Sequence, residues 1–363
     1  MLLSENMLEA GKVCLAKGFP FAIVLAPYSC EASFFAAHTV KPYVRSSFPT
    51  NNGFVISRFG KATPSDLLVI GDEMSPEEVI GKCPTDVIGA CPVLEYCPST
   101  IAEDHCMKVA QAVASRKDLN SKVVLSRLIS ISSDRDPFDV AEEYFIQFPS
   151  CFRTVYFTEE TGLWIVASPE KLLCHDRKRN AYETVSLAGT RVVGGADWDE
   201  KNICEQKLVT DYISQCLVEA GLEPDVRPAE ALRFGQIEHI CTYITAVGVV
   251  PPVDVALRLS PTPALCGYPV DEAFGEIERL EDFDRECYGG FIGVLGGETT
   301  TFYVNLRCCR CGRDLSSVDG WNYRLYAGGG INAMSDPRLE WEETERKSDR
   351  LRRIIETGTK KDK

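Results

Sequence analysis

Three consecutive glycines precede a segment in which a carboxylate and an ammonium group stand four residues apart. Gly328, Gly329 and Gly330 would form a loop whose backbone can approach a ligand closely and point N–H groups at it. Glu343 and Lys347 would share one helix face. This combination is suited to hold a metal ion and an anion. An exposed ion pair beside an ordinary loop is the alternative, and this stretch alone does not separate the two.

The helix that would carry this pair has a well-defined start. Ser335 or Asp336 is a good N-cap, and Pro337 suits the first helical position. Residues at helical spacing on one face are Leu339, Glu343, Lys347, Leu351 and Ile354. We therefore expect the carboxylate and the ammonium group to lie on the stripe that faces the core.

A second lysine occupies a position that suits a base. The segment 121–127 has the composition of a strand, and Lys122, Val124 and Leu128 would share one face of it. Partial burial would disfavour the charged form of the amine, which favours its use as a base. The alternative is a lysine at the strand entrance with its head group in water.

Two further carboxylates stand beside apolar segments. Glu170 follows the predicted strand 163–167, at a sheet end where sites are often built, although Ser-Pro-Glu also resembles a helix start. Glu205 lies next to the apolar stripe of a helix predicted from about 197 to 220, and a buried carboxylate needs a partner or a metal. Glu205 and Glu343, from separate helices, would suit magnesium, which prefers oxygen ligands.

Composition excludes several classes of function. The chain has 363 residues and a net charge of -14, from 39 basic and 53 acidic residues. This charge argues against a general nucleic-acid binder and against attraction to an anionic membrane surface. The sequence has neither an apolar run of transmembrane length nor a basic signal-peptide start. We therefore expect a cytoplasmic protein.

The cysteines and histidines do not form a metal-binding pattern. Sixteen cysteines are scattered, several of them inside apolar periodic segments, which indicates a reducing compartment. Cys308, Cys309 and Cys311 lack a second pair at the spacing of a structural zinc site. His239 lies in a predicted strand, where a lone histidine is more often a core residue than a catalyst.

A set of short motifs occurs in the order found in the chorismate-utilising enzymes. The motifs are Lys122–Arg127, Ser168–Glu170, Leu187–Arg191, Ser260–Leu265, Phe283–Arg285, Tyr288–Gly290, Arg307–Cys308, Ala327–Ile331 and Glu340–Thr344. Each motif alone is weak, but their joint occurrence over about residues 100–357 is specific. The chain resembles the isochorismate synthases of this family most closely.

The resemblance implies an α+β fold in a single large domain. Two antiparallel β-sheets would pack face to face with helices outside, as in the other chorismate-utilising enzymes. Residues 1–363 would form one chorismate-binding domain, in which 1–100 are a variable N-terminal part and 101–357 the catalytic core.

The resemblance also implies a role for each candidate residue. Lys122 would be the general base that activates water to attack C2 of chorismate, and Glu170 the general acid that protonates the departing C4 hydroxyl. Glu205 and Glu343 would bind Mg²⁺, which holds the ring carboxylate, and His239 would lie near the reacting centre. The groups that line the carboxylates of the substrate would be Gly189, Thr190, Arg307, Lys347 and the backbone of Gly328, Gly329 and Gly330.

Particular positions distinguish this chain from other subfamilies. Anthranilate synthases usually have glutamine at the position of Lys122, and aminodeoxychorismate synthases a nucleophilic lysine at that of Ala188. The resemblance therefore implies water as nucleophile, chorismate as the only partner, a monomer and no obligate glutaminase subunit. Ser260 and Asn202 depart from the family pattern, which usually has a histidine and an acid there.

Two alternatives and one choice of pathway stay open at this point. A salicylate synthase shares Lys122 and Glu170 but also eliminates pyruvate, and a non-catalytic chorismate-binding relative would have a structural or regulatory role. Isochorismate itself serves either menaquinone or catechol siderophore biosynthesis.

Overall fold

Strands in two antiparallel sheets form the framework. The computed structural model describes residues 2–43, 52–83, 91–116, 121–195, 197–234 and 237–357. Every ladder between named strands in these ranges is antiparallel. In chain order the strands are β1 (Phe21–Leu25), β2 (Ala32–Ala36), β3 (Lys41–Pro42), β4 (Gly53–Ile56), β5 (Leu68–Ile70), β6 (Lys122–Ser133), β7 (Phe152–Thr158), β8 (Gly162–Ser168), β9 (Lys171–Asp176), β10 (Ala181–Val192), β11 (Glu223–Val226), β12 (Glu230–Phe234), β13 (Ile237–Val247), β14 (Gly267–Tyr268), β15 (Phe291–Leu295), β16 (Thr299–Val304), β17 (Cys308–Arg313) and β18 (Trp321–Ile331).

The first sheet has the strand order β14-β6-β18-β17-β8-β7-β1-β2. The second has the order β11-β13-β10-β9-β16-β15-β4-β5-β3, with β12 also paired to β13. Strands from the first 100 residues therefore extend both sheets: β1 pairs with β7, and β4 pairs with β15.

Aromatic side chains fill the space between the two sheets. Tyr156 of the first sheet lies 5.6 Å, between ring centroids, from Phe54 of the second. The rings of Phe152 and Tyr303 stack across the same space with centroids 4.4 Å apart. Burial of these large rings is the main source of stability for such a layer. This arrangement confirms the face-to-face packing expected from the resemblance.

Helices cover the outer faces of the sheets. Within the described ranges the α-helices are α1 (Glu5–Ala16), α2 (Pro76–Lys82), α3 (Ala102–Ala114), α4 (Pro137–Gln147), α5 (Glu200–Glu219), α6 (Pro252–Leu259), α7 (Val270–Leu280) and α8 (Pro337–Glu356). Helices α1, α4 and α8 pack on the first sheet, whereas α5 packs on β10 and β13 of the second. None of these helices is long and apolar enough to cross a membrane.

Helix α8 begins where its capping residues predicted. The side chain of Asp336 accepts hydrogen bonds from the N–H groups of Arg338 and Leu339, and Pro337 occupies the first turn. The predicted helix from about 197 to 220 is confirmed as α5. These elements were predictable because capping and apolar periodicity are local signals.

The predicted core-facing stripe of α8 is wrong in its first turns. Leu339 is 62% exposed, and Glu343 and Lys347 are only partly buried. The first turns lie beside the glycines of β18, which offer no apolar side chains to pack against. The residues of α8 that are buried are Thr344, Ser348, Leu351, Ile354 and Ile355.

A buried ion pair holds the first half of β6 in place. The side chains of Arg285 and Glu281 are 2% and 3% exposed, with 2.5 Å between nitrogen and oxygen. Glu281 accepts hydrogen bonds from the N–H and the hydroxyl of Ser126, each at 2.7 Å. Arg285 donates to the carbonyls of Val124 at 2.7 Å and Leu265 at 2.6 Å. The pair therefore ties β6 to the loop that follows α6.

Replacing Glu281 with alanine should destabilise the protein strongly. The guanidinium group of Arg285 would stay buried without a counter-charge, at a cost of about 3–5 kcal/mol. Urea unfolding measures this loss. Glu298→Ala, which removes the exposed partner of Lys178, should leave the unfolding midpoint nearly unchanged. Equal losses in the two variants would contradict the role given to the buried pair.

Candidate active site

Lys122 stands at the first position of β6, beside an acid from another element. Its side chain is 11% exposed, and its Nζ lies 3.0 Å from Oε1 of Glu205 on α5. In the ladders, Lys122 lies opposite Tyr268 of β14. The structure thus confirms a buried lysine at the strand end and pairs it with a carboxylate that the sequence assigned to a metal.

Glu170 lies in the short link between β8 and β9. Burial raises the pKa of its carboxyl to about 7, although the positive charges of Lys122 and Lys347 act in the opposite direction. Its carboxyl has no hydrogen-bond or ion-pair partner among the residues that the structure describes. A carboxyl that takes up and releases its proton near neutral pH is suited to general acid catalysis.

The glycine run lies in strand β18, so the predicted loop is wrong. Gly328 and Gly330 stand opposite Ser126 and Val124 of β6. Strand β17 pairs with β18 only from Trp321 to Leu325, so it does not cover the other edge of the glycines. The glycines extend the strand because their neighbours in β6 supply a continuous ladder, which local sequence cannot reveal.

Lys347 connects helix α8 to this glycine edge. Its Nζ donates to the carbonyl of Gly328 at 2.8 Å and lies 2.7 Å from Oε1 of Glu343. A Cβ atom added at Gly329 would lie 2.8 Å from Oε2 of Glu340 and 3.9 Å from Oε1 of Glu343. The missing side chain at this position therefore lets two carboxylates of α8 approach the strand.

Glu340 is a site residue that the role assignments from sequence missed. Its Oε1 accepts a hydrogen bond from the hydroxyl of Ser335 at 2.7 Å, and its Oε2 faces Gly329. The signal was present in the sequence, since Glu340 stands three residues before Glu343 and such residues share a helix face.

His239 and Gly189 meet across a bulge in the second sheet. The register between β10 and β13 shifts between Ala188 and Thr190, and Gly189 has a φ of 71°, which favours glycine. His239 Nδ1 lies 2.9 Å from the carbonyl of Gly189, so we assign the ring proton to Nδ1. Burial lowers the pKa of His239, and the charge of Lys347 lowers it further. The backbone of Thr190 pairs with His239, whereas its side chain lies outside the described part of the chain.

Arg307 supplies a third cationic group. It has a φ of 52°, and its carbonyl accepts hydrogen bonds from Ala167 at 3.2 Å and Tyr144 at 3.1 Å. Its guanidinium group has no partner among the described residues. The charge of Arg307 acts on Tyr288, whose hydroxyl lies 3.1 Å from a Cβ built at Gly328. Arg307 therefore belongs to the same end of the first sheet as the glycines.

Cationic groups thus gather locally in an acidic protein. Lys122 and Lys347 act electrostatically on Glu170, Lys347 also acts on His239, and Arg307 adds a guanidinium group. Such a site suits an anionic ligand that carries more than one carboxylate.

The carboxylates predicted to bind magnesium fit that ion by type. Glu205 is paired with Lys122 and Glu343 with Lys347, and no group of three metal-ligating residues is assembled within the described ranges. Magnesium typically takes one or two protein carboxylates and completes its shell with water and substrate. Glu205 on α5 and Glu343 on α8 are oxygen donors of the type that this ion takes.

Comparison with known proteins agrees with this geometry. The family model described as chorismate binding enzyme matches residues 98–356. The isochorismate synthase MenF of Escherichia coli K12 is 30% identical over 276 residues, which cover 73% of this chain and 59% of that protein. The isochorismate synthase EntC of the same organism is 32% identical over 240 residues, which cover 61% of this chain and 59% of that protein. The chain thus spans less than two thirds of these curated relatives.

The fold is similar to that of a solved relative over nearly its whole length. The structure of MenF, the menaquinone-specific isochorismate synthase from Escherichia coli, aligns with a TM-score of 0.75 at 22% identity. The alignment covers 98% of this chain and 92% of that one. It therefore includes the strands before residue 98, which the family model does not match.

Replacing Glu170 with glutamine should stabilise the protein in a pH-dependent way. With its pKa raised to about 7, Glu170 has no effect on stability well below its ordinary pKa of 4.5. It destabilises the fold increasingly between pH 4.5 and about 7, where the carboxyl ionises in the unfolded chain but stays neutral in the folded one. The advantage of Glu170→Gln should grow by about 2.5 kcal/mol from pH 5 to pH 8. Urea unfolding at each pH measures it, with Glu159→Gln as an exposed control. A difference that stays constant with pH would contradict the raised pKa.

Proposed function

Because this chain belongs to the family of chorismate binding enzymes, we propose that it isomerises chorismate to isochorismate. The observation that carries the proposal is the electrostatic contact between a buried amine and a carboxyl that titrates near neutrality, Lys122 and Glu170. The reaction needs a base and an acid that act on different carbons of one ring, and these two groups come from separate segments, the start of β6 and the link between β8 and β9.

Lys122 and Glu170 would divide the proton transfers between them. Lys122, as the free amine, takes a proton from water as the water oxygen bonds to C2. The ring double bonds shift, the C4–O bond breaks, and Glu170 gives its proton to the departing hydroxyl, which leaves as water. One water enters and one leaves, so the product is an isomer. His239, neutral at its lowered pKa, would line the reacting centre.

The cationic groups would bind the two carboxylates of chorismate. Arg307 has a guanidinium group that can make paired hydrogen bonds to a carboxylate. Lys347 donates a hydrogen bond to the carbonyl of Gly328, so its ammonium group lies beside the glycines of β18. Backbone groups supply the remaining contacts in this proposal, and they belong to Gly189, Thr190, Gly328, Gly329 and Gly330.

Magnesium would be held by Glu205 and Glu343. When bound, the ion supplies a charge that orients the ring carboxylate and offsets negative charge during the reaction. Lys122 has to give up its ion pair with Glu205 before it can accept a proton. Release of this lysine and loading of the metal therefore involve the same carboxylate.

Water, rather than ammonia, would be the nucleophile, because Lys122 is a base for water and occupies the position where anthranilate synthases usually have glutamine. A glutaminase subunit that supplies ammonia is therefore not needed, and from the family resemblance we propose that the enzyme is a monomer. All sixteen cysteines are free thiols, which supports a reducing cytoplasmic setting for the enzyme.

Product analysis after incubation with chorismate and magnesium tests the assignment. Isochorismate as the product would support it. Salicylate with pyruvate would replace it with a salicylate synthase, and unchanged chorismate would replace it with a non-catalytic relative. Separation of the products by liquid chromatography distinguishes the three outcomes.

Lys122→Ala should abolish turnover while chorismate still binds. Loss of a positioned base costs about 10²–10⁴-fold in rate, whereas the groups assigned to the carboxylates of the substrate stay in place. Steady-state kinetics and calorimetric titration measure the two effects. Lys178→Ala, at an exposed position, is the control for loss of a lysine. More than a few per cent of residual activity would remove Lys122 from the role of base.

Glu343→Gln should lose both rate and response to magnesium, since an amide is a weaker ligand for this ion than a carboxylate. The control is Glu342→Gln, one residue earlier on α8, where the carboxylate pairs with Arg338 at the surface. Activity measured across a magnesium titration provides the comparison. An unchanged titration curve in Glu343→Gln would exclude this residue from the metal site.

A further inference from the structure

A small cavity lies behind Glu170 and has no part in the assignments above. It has a volume of about 30 Å³ and lies between the second sheet, α5 and the loop after α6. Most of its lining is aliphatic. The polar residues that reach it are Glu170, Lys171, Thr184, Tyr212 and Thr262. A volume of about 10–15 Å³ is enough for one water molecule, so the cavity has room for at least one.

Thr262 brings an unsatisfied hydroxyl group to this cavity. Its Oγ1 atom is buried and has no hydrogen-bond partner among the described residues. By contrast, the hydroxyls of Thr184 and Tyr212 donate to the carbonyls of Leu172 at 2.7 Å and Arg258 at 3.3 Å. A buried hydroxyl without a partner is costly, and an ordered water is the usual remedy.

The loop that carries Thr262 is held firmly. The carbonyl of Thr262 accepts hydrogen bonds from the N–H groups of Leu265 at 3.0 Å and Cys266 at 2.8 Å. The carbonyl of Leu265 in turn accepts from the buried Arg285. The hydroxyl of Thr262 therefore has a fixed position relative to the cavity.

We propose that a water molecule bound in this cavity bridges the hydroxyl of Thr262 and the carboxyl of Glu170, which makes Thr262 a positioning residue for the general acid. The proposal rests on the function proposed above. Thr262 donates to the water, and the water donates to the carbonyl oxygen of protonated Glu170. The acid proton is then directed away from the cavity, toward the substrate. The Glu170 carboxyl, which has no direct partner among the described residues, thereby gains one.

Removal of the hydroxyl has a characteristic kinetic signature. Thr262→Val keeps the shape of the side chain and deletes only the donor, so kcat should fall about tenfold while KM stays within about twofold. A donor to a carboxylate favours the ionised form, so its loss should move the ionisation of Glu170 in the pH profile of kcat to higher pH. Thr262→Ser retains a hydroxyl, so its kcat and its pH profile should match those of the unaltered enzyme.

Thr154→Val is the matched control. Thr154 also has a buried hydroxyl without a partner among the described residues, but it lies in β7 of the first sheet. The same substitution there should leave the pH profile unchanged. A purely structural effect at Thr262 would lower stability without a shift in the profile.

A high-resolution crystal structure of the full chain completes the test. Density for a water within hydrogen-bond distance of Thr262 Oγ1 and Glu170, absent in Thr262→Val, would support the proposal. A dry cavity, or a Thr262→Val enzyme with unaltered kcat and pH profile, would overturn it. If the unaltered chain makes no isochorismate, the proposed function fails instead, and the density still decides whether the water site exists.

Discussion

The ladder between β6 and β18 is the constraint on which the candidate site depends. It runs from the pair Trp321 and Ser133 to the pair Ile331 and Val123 without a break in register. Because side chains alternate along a strand, a slip of one residue would reverse the direction of Lys122 and of every neighbour. The buried charges of Arg285 and Glu281 secure β6 against such a slip by binding its backbone directly.

Two opposing effects set the pKa of the Glu170 carboxyl. Burial favours the neutral carboxyl, and the two nearby ammonium groups favour the ion. Burial has the larger effect, so the carboxyl exchanges its proton near neutral pH. The same ammonium groups neutralise Glu205 and Glu343, so that a chain of net charge -14 maintains a region suited to an anion.

Local signals in the sequence predicted much of the framework but less of the site. The cap at Asp336 and the strand before Glu170 follow from residue types within a few positions. The strand conformation of the glycines does not, because it depends on hydrogen bonds from β6, some two hundred residues earlier. The exposure of Leu339 has the same origin, since what α8 packs against is set by the distant strand.

Several residues of the candidate site came from the family resemblance and not from local pattern. Periodicity showed that Lys122, Glu205 and Glu343 are charged residues on or beside apolar faces. It could not predict that they lie near one another in the fold. Glu340 shares a face with Glu343 and could have been found by spacing. Thr262 could not, because the significance of its hydroxyl depends on a cavity that five separated segments of the chain line.

The strand pairings of the first hundred residues affect where the chain can be cut to make a fragment that folds. The match to the family model starts at residue 98, yet β1 lies against β7 and β4 against β15. A fragment cut at that match would leave two buried strands, β7 and β15, with open hydrogen-bonding edges, which are templates for aggregation. The limits of sequence similarity are therefore a poor guide to where an expression fragment of this protein should begin.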